Sequence, residues 1–536
     1  ELSVVGQRVP KIDAIAKATG AACFTVDVRR PHMLHGRLLR SPHAHARIRS
    51  IDASKARALP GVHAVFTHKD LARVKYASGG QSYPQPLPFD QVSLDDKVRF
   101  VGDRVAVVAA ESLAVANKAL ELIDVDYEVL PAVVDMEQTM MDGAPVIHDE
   151  ADTEGIYDRK RNIVYHIEAE VGEVDQAFAA SEHVFEGEYR TPKQQHVHLE
   201  PHVCITYFDE DERLVVRTST QVPFHTRRIL APLIGMPVKK IRVIKPRIGG
   251  GFGNKQEVLI EDLCAHLTIK TGRPVRMEYT REQEFTSSRR RHDNIIRYKI
   301  GVTGDQVTAA SLYLIGDTGA YGTHGLTVNM VGGFKGLTLY NTPNSRFICD
   351  VVYTNTVPAG AFRGYGSMQC QYGIEVIMSE IAEKLGLDVI EFKKKNWIKV
   401  GEEMYLSQQL GEGRTGVKQS LETSAMEQCV EIGSRLTSFR EKVQQYRGQT
   451  GRYRRGIGMA VVMHGSSVAN LDMAAATLKL NDDGSFNLLI GATDLGTGSD
   501  TILAQVAAEV LHTDVNDMIV YSSDTDFTPF DKGAYA

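Results

Sequence analysis

The sequence predicts a multidomain α+β protein, and three observations lead to this fold class. Short runs rich in β-branched and aromatic residues alternate irregularly with segments of helical period along the 536 residues. Hydrophobic residues make up 43% of the chain, enough to bury several cores, and the length suggests roughly three or four domains. Neither a fixed internal repeat nor a low-complexity tract is visible in the sequence. The chain is therefore predicted to be large and globular.

The order of these elements divides the chain into four predicted regions. Residues 1–135 combine β-rich runs such as VHAVFT with the helical LAVANKALELI, which predicts a small α+β domain. Residues 136–165 are polar and aperiodic, as expected of a linker. Residues 166–405 mix strands with helices and form a second predicted domain. Residues 406–536 begin a third domain that we expect to be incomplete, because the final DTDFTPFDKGAYA carries no signal that closes a helix or a strand.

The charge pattern excludes two classes of partner. The net charge is -6 and both signs are mixed along the chain, so no basic face indicates nucleic-acid binding. Apolar runs fall short of the ~20 residues that span a bilayer, and the chain does not start with a signal peptide. A cytoplasmic enzyme or assembly subunit is the expectation.

The cysteines restrict the redox chemistry. The six cysteines are far apart and never form C-x-x-C, which argues against a local iron-sulfur or zinc-ribbon motif and against a disulfide framework. Any redox centre in this chain is therefore expected to be a cofactor that is held without thiolates.

A glycine-rich stretch, RIGGGFGNKQEVLIED at residues 247–262, is the first candidate binding site. Glycine clusters occur where backbone N–H groups approach a ligand or where φ is positive. A P-loop is not indicated, because Lys255 is followed by Gln256 where serine or threonine is needed, and the spacing of a dinucleotide fingerprint is absent. The flanks predict a strand, the loop, and a helix ended by Gly272. A loop at a helix N-terminus favours an anionic or oxo-bearing ligand; a tight turn without a ligand is the alternative.

Two further glycine-bearing loops carry groups suited to a cofactor. PAGAFRGYGSMQ brackets Arg363 and Tyr365 with glycines, so the guanidinium could bind an anion or oxo group and the ring could stack on a flat ligand. An arginine paired with a carboxylate is the alternative reading. GATDLGTGSDT supplies hydroxyl groups that include those of Thr493 and Thr497, although hydroxyl-rich turns are common. Three such loops without thiolates indicate an extended, polar, phosphate-bearing cofactor enclosed by backbone amides.

A histidine-rich stretch, QQHVHLEPH, supports a different class of protein. His196, His198, Glu200 and His202 occupy alternate positions, so on a β-strand their side chains would share one face. Two or three neighbours among them could bind zinc or iron. A hydrogen-bonded polar face near a pocket is the favoured interpretation, and a non-molybdenum metalloprotein using His196, His198 and Glu200 is the competing hypothesis.

Read in order, the motifs resemble the molybdenum-binding large subunit of the xanthine dehydrogenase and aldehyde oxidase family, in its bacterial, separately encoded form. VPKIDAIAKATGAACFTVDV and LLRSPHAHARIRSID resemble the start of the family's α/β hammerhead domain. STQVPF, GGGFGNK, GDTGAY, AFRGYG, GATDLGTGSD and DTDFTPFDKGAYA follow in the family's order. The resemblance covers essentially the whole chain and implies a hammerhead domain followed by mixed α/β molybdopterin-binding domains.

The resemblance also implies which residues bind the cofactor. Phe252 and Gly253 would approach the apical oxo side of a molybdenum held by the dithiolene of molybdopterin, and Gln221 would donate a hydrogen bond to the oxo ligand. The 493–501 loop would bind the pterin phosphate or a nucleotide tail, with the cytosine dinucleotide as one form. Thr497 stands where many members have glutamine. The implied cofactor-binding residues are Gln221, Gly251, Phe252, Gly253, Arg363, Gly364, Thr493, Thr497 and Ala536.

The reaction implied by the resemblance is hydroxylation of an electron-poor ring carbon next to a nitrogen, or of an aldehyde carbon, with water as the oxygen source. Two electrons then leave through 2Fe-2S clusters to FAD. The cysteine pattern of this chain can hold neither of these two partner centres. Iron-sulfur and FAD subunits are therefore expected partners.

Departures from the family pattern bear on the substrate. Gln256 stands where xanthine-hydroxylating members have a substrate-facing glutamate, and Val331 where they have a substrate-binding arginine. Tyr365 replaces a stacking phenylalanine, and Lys335, about one turn beyond Val331, could restore the cation. The implied substrate residues are therefore Gln256, Lys335 and Tyr365. A purine is the first choice, with another N-heterocycle or an aldehyde close behind.

The family's catalytic base has no match in residues 1–536. Members continue past the GAYA loop and carry there a Gly-Glu motif whose glutamate acts as the base. Glu257, Asp494 and Asp531 lie in motifs with other implied roles, and a base must lie within hydrogen-bond reach of the proton that it removes. We therefore expect a second polypeptide, or a continuation of this one, to supply the rest of the molybdenum domain and the base.

Overall fold

The computed structural model describes residues 2–79, 85–465 and 472–535. Its α-helices are α1 (Ala14–Ala18), α2 (Ser54–Ala58), α3 (Leu113–Glu121), α4 (Val174–Ala180), α5 (Pro223–Leu233), α6 (Glu261–Thr271), α7 (Arg281–Ser287), α8 (Gly325–Thr338), α9 (Ser367–Lys384), α10 (Val389–Asn396), α11 (Met426–Thr437), α12 (Phe439–Gln445) and α13 (Ser499–Leu511). Short 3-10 turns occupy Thr25–Asp27, Gln138–Met140, Val238–Lys240, Asn254–Gln256 and Val515–Asp517.

The strands alternate with these helices along the chain. They are β1 (Leu34–Arg40), β2 (Ala46–Asp52), β3 (Val62–Thr67), β4 (Lys97–Val98), β5 (Arg104–Ala110), β6 (Asp124–Val129), β7 (Ile163–Val171), β8 (His183–Thr191), β9 (Val203–Phe208), β10 (Leu214–Thr218), β11 (Ile241–Ile244), β12 (Val275–Glu278), β13 (Asn294–Thr303), β14 (Gln306–Gly319), β15 (Ser345–Tyr353), β16 (Ala476–Leu480), β17 (Phe486–Ile490) and β18 (Met518–Ser522).

Two large sheets carry most of the core. A seven-stranded sheet has the order β11-β10-β9-β12-β1-β5-β3, and a five-stranded sheet has the order β7-β15-β14-β13-β8. The second sheet is covered by α8 and α9, whose apolar faces pack with its strands in the largest buried cluster. This mixture of sheets and helices confirms the predicted multidomain α+β class.

The seven-stranded sheet joins strands from both sides of the predicted linker. Strand β1 pairs in parallel with β12, Leu34 opposite Val275, although these residues belong to different predicted regions. The 136–165 segment is irregular apart from one 3-10 turn, but it is packed: Ile147 and His148 are buried within it. The boundary near residue 135 is therefore not a boundary between sheets.

Strand ends bring the functional loops to one place. Strands β10 and β11 are parallel neighbours, and so are β17 and β18, so the loops that leave each pair start at the same edge of their sheet. The two pairs meet there, because Ile244 bridges Asp524 and the amide of Lys245 donates to the carbonyl of Ser523 (3.0 Å).

Local signals explain several element boundaries. Helix α3 begins after Ser112, whose side chain accepts a hydrogen bond from the amide of Val115. Helix α6 ends at Gly272 with φ 63°, as its sequence predicts. All six cysteines are free thiols. In the described ranges, no helix is both long and apolar enough to cross a membrane.

Candidate cofactor site

The glycine-rich loop takes a backbone path that few side chains allow. Gly250, Phe252 and Gly253 have φ of 86°, 54° and 104°, all in the left-handed region. The loop is held from behind by Glu200, whose Oε2 accepts from the amide of Gly249 (2.9 Å) and from Lys255 Nζ (2.8 Å). One expectation about its surroundings is wrong. The loop runs into a 3-10 turn, Asn254–Gln256, and α6 begins only at Glu261, so no α-helix N-terminus meets the loop directly.

The front of this loop presents open backbone donors. The amides of Gly250, Gly251 and Phe252 have no acceptor among the described residues. The Phe252 side chain is 41% exposed, unusual for a phenylalanine within a buried loop. Successive free N–H groups on a backbone with alternating sign of φ form a concave site for an anion or an oxo group. This arrangement fits the oxo face of a molybdenum cofactor.

Gln221, which lies between β10 and α5, closes the site. Its Oε1 accepts from the amide of Gly253 (2.9 Å), and its Nε2 donates to the carbonyl of Ala534 (2.9 Å). A primary amide has two N–H groups, so one donor is left for a ligand. The side chain is buried, and a Cβ on Gly251 would lie 2.5 Å from its Oε1. Glycine at residue 251 therefore makes room for this amide.

The FRG loop, PAGAFRGYG at residues 358–366, lies against the glycine loop through its backbone. The amide of Arg363 donates to the carbonyl of Phe252 (3.0 Å), while the Arg363 side chain is exposed. A Cβ on Gly253 would lie 2.5 Å from the carbonyl oxygen of Ala361, so the two loops touch at van der Waals distance. Gly364 has φ 87°, which turns the chain into α9. The Arg363 guanidinium pairs with no carboxylate among the described residues, and its binding of an anion or oxo group stays a prediction.

Gln256 and the end of the described chain complete this wall. Gln256 Nε2 donates to the same Ala534 carbonyl as Gln221 (3.1 Å), while its buried Oε1 has no described partner. Ala536, one of the implied cofactor-binding residues, lies outside the described residues. The Ala534 carbonyl was missed by sequence reasoning, since no side-chain pattern announces a backbone acceptor.

The other two predicted substrate residues, Lys335 and Tyr365, lie on α8 and the FRG loop. The Tyr365 hydroxyl lies 2.7 Å from His324 Nδ1 and 2.6 Å from Thr327 Oγ1. Lys335 is half-buried on α8 one turn beyond the buried Val331, and burial lowers its pKa. The charge of Glu412 opposes that shift.

Glu412 is a titratable group that the sequence did not reveal. Burial raises its pKa to about 7, while Lys532 and Lys335 act in the opposite direction. It lies in the irregular stretch before α11, where a single glutamate between glycines carries no recognisable signal. A carboxyl whose pKa is shifted toward neutrality is a common feature of functional sites.

The third loop lies beside the start of the glycine loop. Lys245 Nζ donates to the Asp494 carbonyl (3.2 Å), and Lys11 Nζ donates to the Gly496 carbonyl (2.6 Å). Thr493 is buried with its hydroxyl on Ser523 (3.0 Å), whereas Thr497 is exposed. Two cations and an exposed hydroxyl at the start of α13 suit a phosphate, although the role of Thr493 in binding it stays a prediction.

The histidine-rich stretch does not form the predicted strand. Residues 192–202 are irregular, and Val197 has φ 50°. His196 Nε2 contacts the Ala361 carbonyl (2.7 Å), and Glu200 contacts Lys255, so these side chains do not converge on one ion. The metal hypothesis for His196, His198 and Glu200 is therefore wrong.

A different trio can be grouped by distance: His198, His202 and Glu284. It is already satisfied as a hydrogen-bond network. His202 Nδ1 contacts Glu284 Oε1 (2.9 Å), and His198 contacts the Glu200 carbonyl and the Asn254 amide. Burial alone would raise the pKa of Glu284, but the two histidines outweigh it and lower the pKa to about 2. The favoured interpretation, a hydrogen-bonded polar face beneath the loop, agrees with these contacts.

Comparison with known proteins identifies the family. The aldehyde oxidase and xanthine dehydrogenase a/b hammerhead domain matches residues 19–131, and two molybdopterin cofactor-binding domains match residues 156–397 and 430–536. The chain belongs to the aldehyde oxidase and xanthine dehydrogenase family. This molybdopterin-binding family of oxidoreductases accounts for the order of the loops and confirms the predicted hammerhead and molybdopterin-binding architecture.

Individual members of the family show the extent of the likeness. The chain is 38% identical to the probable hypoxanthine oxidase XdhD of Escherichia coli over 100% of its own length and 59% of that protein. It is 35% identical to the nicotinate dehydrogenase large molybdopterin subunit of Eubacterium barkeri, over 81% of this chain and 98% of that subunit. The structure of the aldehyde oxidoreductase from Desulfovibrio gigas superposes with a TM-score of 0.86 at 26% identity, over 99% of this chain and 57% of the other. The chain thus spans little more than half of two of these three relatives.

Proposed function

We propose that this chain is the molybdopterin-binding part of a molybdenum hydroxylase that oxidises a purine or another N-heterocycle. The observation that carries the proposal is the enclosure formed by Gln221, the open amides of the glycine loop and the Ala534 carbonyl. When bound, the cofactor supplies an oxygen derived from water and accepts two electrons from the substrate carbon. Family membership and the hypoxanthine oxidase likeness support this choice of reaction.

The protein's own contribution is positioning and charge stabilisation. The second N–H of Gln221 and the amides of Gly251 and Phe252 would donate to the cofactor's oxygen, where preorganised donors stabilise developing negative charge. The backbones of Gly253, Arg363 and Gly364 hold that face in place. Thr493 and Thr497, with Lys245 and Lys11 nearby, would hold the phosphate end; the cytosine dinucleotide form is one possibility for that end. Ala536 is proposed to pack beside the metal.

Gln256, Lys335 and Tyr365 are the proposed substrate-binding residues. The unpaired, buried Gln256 Oε1 can accept a hydrogen bond from a ring N–H. The likeness to a hypoxanthine oxidase and to a nicotinate dehydrogenase subunit supports an N-heterocycle. An aldehyde is the second candidate, because neutral Gln256 and Val331 leave the pocket less polar than a carboxylate and a guanidinium would, and because an aldehyde oxidoreductase superposes closely.

Partner polypeptides complete the proposed enzyme. XdhD extends well beyond the matched region, and the base glutamate is proposed to lie on the corresponding additional polypeptide or continuation. An unpaired segment supports this: residues 457–463 alternate between inward and outward side chains, as in a strand, but join no sheet among the described residues. Iron-sulfur and FAD subunits are proposed electron acceptors, and the location is proposed to be cytoplasmic.

The anchoring of that segment leaves one of its edges open. Val461 N donates to Glu375 Oε2 (3.0 Å), and the carbonyls of Met459 and Met463 accept from Lys393 and Gln371. These contacts all use one edge of the segment, since residues two apart point their backbone groups the same way. The opposite edge is suited to pairing with a strand from the additional polypeptide.

The test is metal and pterin analysis of the purified complex, followed by a substrate screen with an artificial electron acceptor. We expect about one molybdenum and one pterin phosphate per copy of this chain, with turnover of purines above aldehydes. Zinc or iron bound to this chain alone, or the absence of any pterin from an active preparation, would contradict the proposal. Intact-mass analysis of the same active complex should reveal a further molybdenum-domain polypeptide or a longer chain.

A further inference from the structure

Tyr365 ends a line of buried polar groups that reaches back to the hammerhead region. Its hydroxyl contacts His324 Nδ1 (2.7 Å), and the other ring nitrogen of His324 faces Glu257 Oε1 at 3.8 Å. His324 and Glu257 are both buried, at 1% and 2% exposure. Neither His324 Nε2 nor Glu257 Oε1 has a hydrogen-bond partner among the described residues. The line Glu257–His324–Tyr365 is not accounted for by the cofactor-binding loops.

Glu257 is held in one orientation and in its charged form. Its Oε2 accepts hydrogen bonds from Arg289 Nε (2.6 Å) and from Ser78 Oγ (2.6 Å). Arg289 Nη2 also donates to Ser78 Oγ (3.1 Å). Donors on Oε2 leave Oε1 as the oxygen that faces His324, and a carboxylate paired with a guanidinium carries negative charge.

That charge selects the tautomer of His324. A neutral imidazole carries its proton on one nitrogen, and a hydrogen turned toward a carboxylate oxygen is favoured over a lone pair turned toward it. The proton therefore lies on Nε2, facing Glu257, and Nδ1 is an acceptor. Burial lowers the pKa of His324, with the Glu257 charge acting in the opposite direction, which agrees with a neutral ring.

The tautomer in turn sets the direction of the Tyr365 hydroxyl. Because Nδ1 accepts, Tyr365 must donate its only proton to His324. The 2.6 Å contact with Thr327 then has Thr327 as donor and Tyr365 as acceptor, in place of the longer 3.3 Å contact from Thr327 to the His324 carbonyl. One lone pair remains on the phenol oxygen and no proton does. Burial raises the pKa of Tyr365 well above its usual range, so the group stays a neutral phenol.

Two glycines pack tightly against this line of polar groups. A Cβ on Gly79 would lie 2.5 Å from His324 Nε2, and a Cβ on Gly360 would lie 2.6 Å from Glu257 Oε1. Tyr365 itself has φ 25°, a strained value for a residue with a side chain. Strain of this kind is retained where the surrounding contacts hold the residue in one orientation. The contact of the Tyr365 hydroxyl with His324 is one of them.

We propose that Glu257 and His324 are positioning residues that turn Tyr365 into a hydrogen-bond acceptor toward the substrate, and that the enzyme thereby selects a heterocycle presenting a ring N–H at this position. The proposal rests on the proposed function, because it needs a substrate bound beside Tyr365. A ring nitrogen with a lone pair would face the phenol lone pair without a proton between them. An N-alkylated ring or a simple aldehyde offers no donor.

Replacing Glu257 by glutamine reverses the donor and acceptor roles along the line while keeping the size of the side chain. The amide oxygen would keep the contacts with Arg289 and Ser78, and the amide nitrogen would take the place of Oε1. Its N–H faces His324 Nε2, which favours the histidine proton on Nδ1. While Thr327 keeps donating to the phenol oxygen, the phenol proton then points away from both residues and Tyr365 becomes a donor. A substrate N–H would then meet the phenol proton.

The kinetic test uses hypoxanthine and its singly N-methylated forms with the holoenzyme complex. In the native enzyme, one methylated form should lose at least about tenfold in kcat/KM, the loss expected for an unpaired polar group. Tyr365→Phe should shrink that difference to within about twofold, while Tyr340→Phe, which removes another buried hydroxyl that contacts Glu375, should leave it intact. Glu257→Gln should lower kcat/KM for hypoxanthine at least about tenfold.

The double variant separates the relay from a structural effect. In Glu257→Gln/Tyr365→Phe the tautomer no longer matters, so its kcat/KM should equal that of Tyr365→Phe alone. Losses of kcat/KM that add independently in the double variant would overturn the proposal that Glu257 acts through Tyr365. Turnover of aldehydes but of no N-heterocycle would overturn the proposed function as well.

A spectroscopic readout needs no turnover. With 15N-labelled histidine in the native complex, the His324 Nδ1 resonance, assigned by its absence in His324→Gln, should have the shift of an unprotonated ring nitrogen. It should move to that of a protonated nitrogen in Glu257→Gln. A protonated Nδ1 in the native protein would overturn the proposal while leaving the proposed function standing.

Discussion

At the scale of single residues, one amide joins the two ends of the site. Gln221 contacts Gly253 through its oxygen and Ala534 through its nitrogen, and those two partners are separated by most of the cofactor-binding domains. Both bonds depend on the amide having a donor end and an acceptor end. The STQ motif predicted Gln221 as a ligand to the cofactor, but its second partner could not be predicted, since only the folded chain brings residue 534 beside it.

Gln221→Glu should therefore release the cofactor while the fold persists. The carboxylate keeps an acceptor for the Gly253 amide but faces the Ala534 carbonyl without a proton, at a cost of about 1–3 kcal/mol. We expect molybdenum content to drop severalfold and turnover per molybdenum to fall by ~10²-fold. Gln371→Glu is the matched control, because buried Gln371 makes the same kind of bond to the Met463 carbonyl (2.6 Å). Equal metal loss in both variants would show that Gln221 acts only through stability.

Phe252 combines backbone strain with an exposed ring. One substitution can therefore relieve the strain and remove the ring, with opposite expected effects on stability and on turnover. Phe252→Gly should relieve the positive φ of 54° and leave the melting temperature unchanged or slightly higher. Turnover should nevertheless fall at least about tenfold, because the ring that we propose to shield the oxo face is lost. Glu212→Gly, at φ 56° in an exposed turn, is the control for strain relief and should change neither cofactor content nor turnover. Full turnover of Phe252→Gly would remove Phe252 from the site.

At the scale of elements, sequence patterns predicted several helices and strands correctly but failed for the histidine-rich stretch. The β-rich run VHAVFT and the helical period that ends at Gly272 predicted β3 and α6 correctly. The alternating histidines were read as a strand by the same rule, but Val197 takes a left-handed conformation there, and the side chains separate to different partners. A two-residue period in polar side chains does not specify a strand when no buried face enforces the register.

Two glycines with the same conformation test what the glycine loop needs. Gly253 and Gly272 both have positive φ, at 104° and 63°, but only a Cβ on Gly253 would meet a backbone carbonyl, that of Ala361 at 2.5 Å. Gly272→Ala should cost roughly 1 kcal/mol and keep activity. Gly253→Ala should cost several times more and lose the cofactor, since the FRG loop must move away. Thermal unfolding together with pterin release measures both; equal effects would mean that conformational strain alone matters.

At the scale of the whole molecule, buried neutral histidines should make the protein sensitive to mild acid. Burial lowers the pKa of His196, His198 and His292 to about 3, and that of His225 to about 4, from an ordinary value of 6.5. Below pH 6.5 the unfolded chain takes up protons that the folded chain refuses until pH 3–4. The stabilisation is therefore complete above pH 6.5 and is lost as the pH falls through that window, at up to about 1.4 kcal/mol per pH unit for each histidine.

Denaturant unfolding between pH 7 and 5 measures this slope. His292 is the cleanest probe, because neither ring nitrogen has a described partner. His292→Met removes the titrating ring and should flatten the slope by about one proton, whereas replacement of the exposed His183 should not. A slope that is unchanged in His292→Met would mean that the acid response arises elsewhere.

The contact between the start of the described chain and α13 has a consequence for how the protein is made. Glu509 accepts hydrogen bonds from the amides of Ser3 and Val5, and the first of these contacts spans 506 positions. On a ribosome that adds about 5–20 residues per second, Ser3 emerges roughly 25–100 s before its partner exists. During that interval the segment is open to proteases and chaperones, because this contact can form only after α13 has been made.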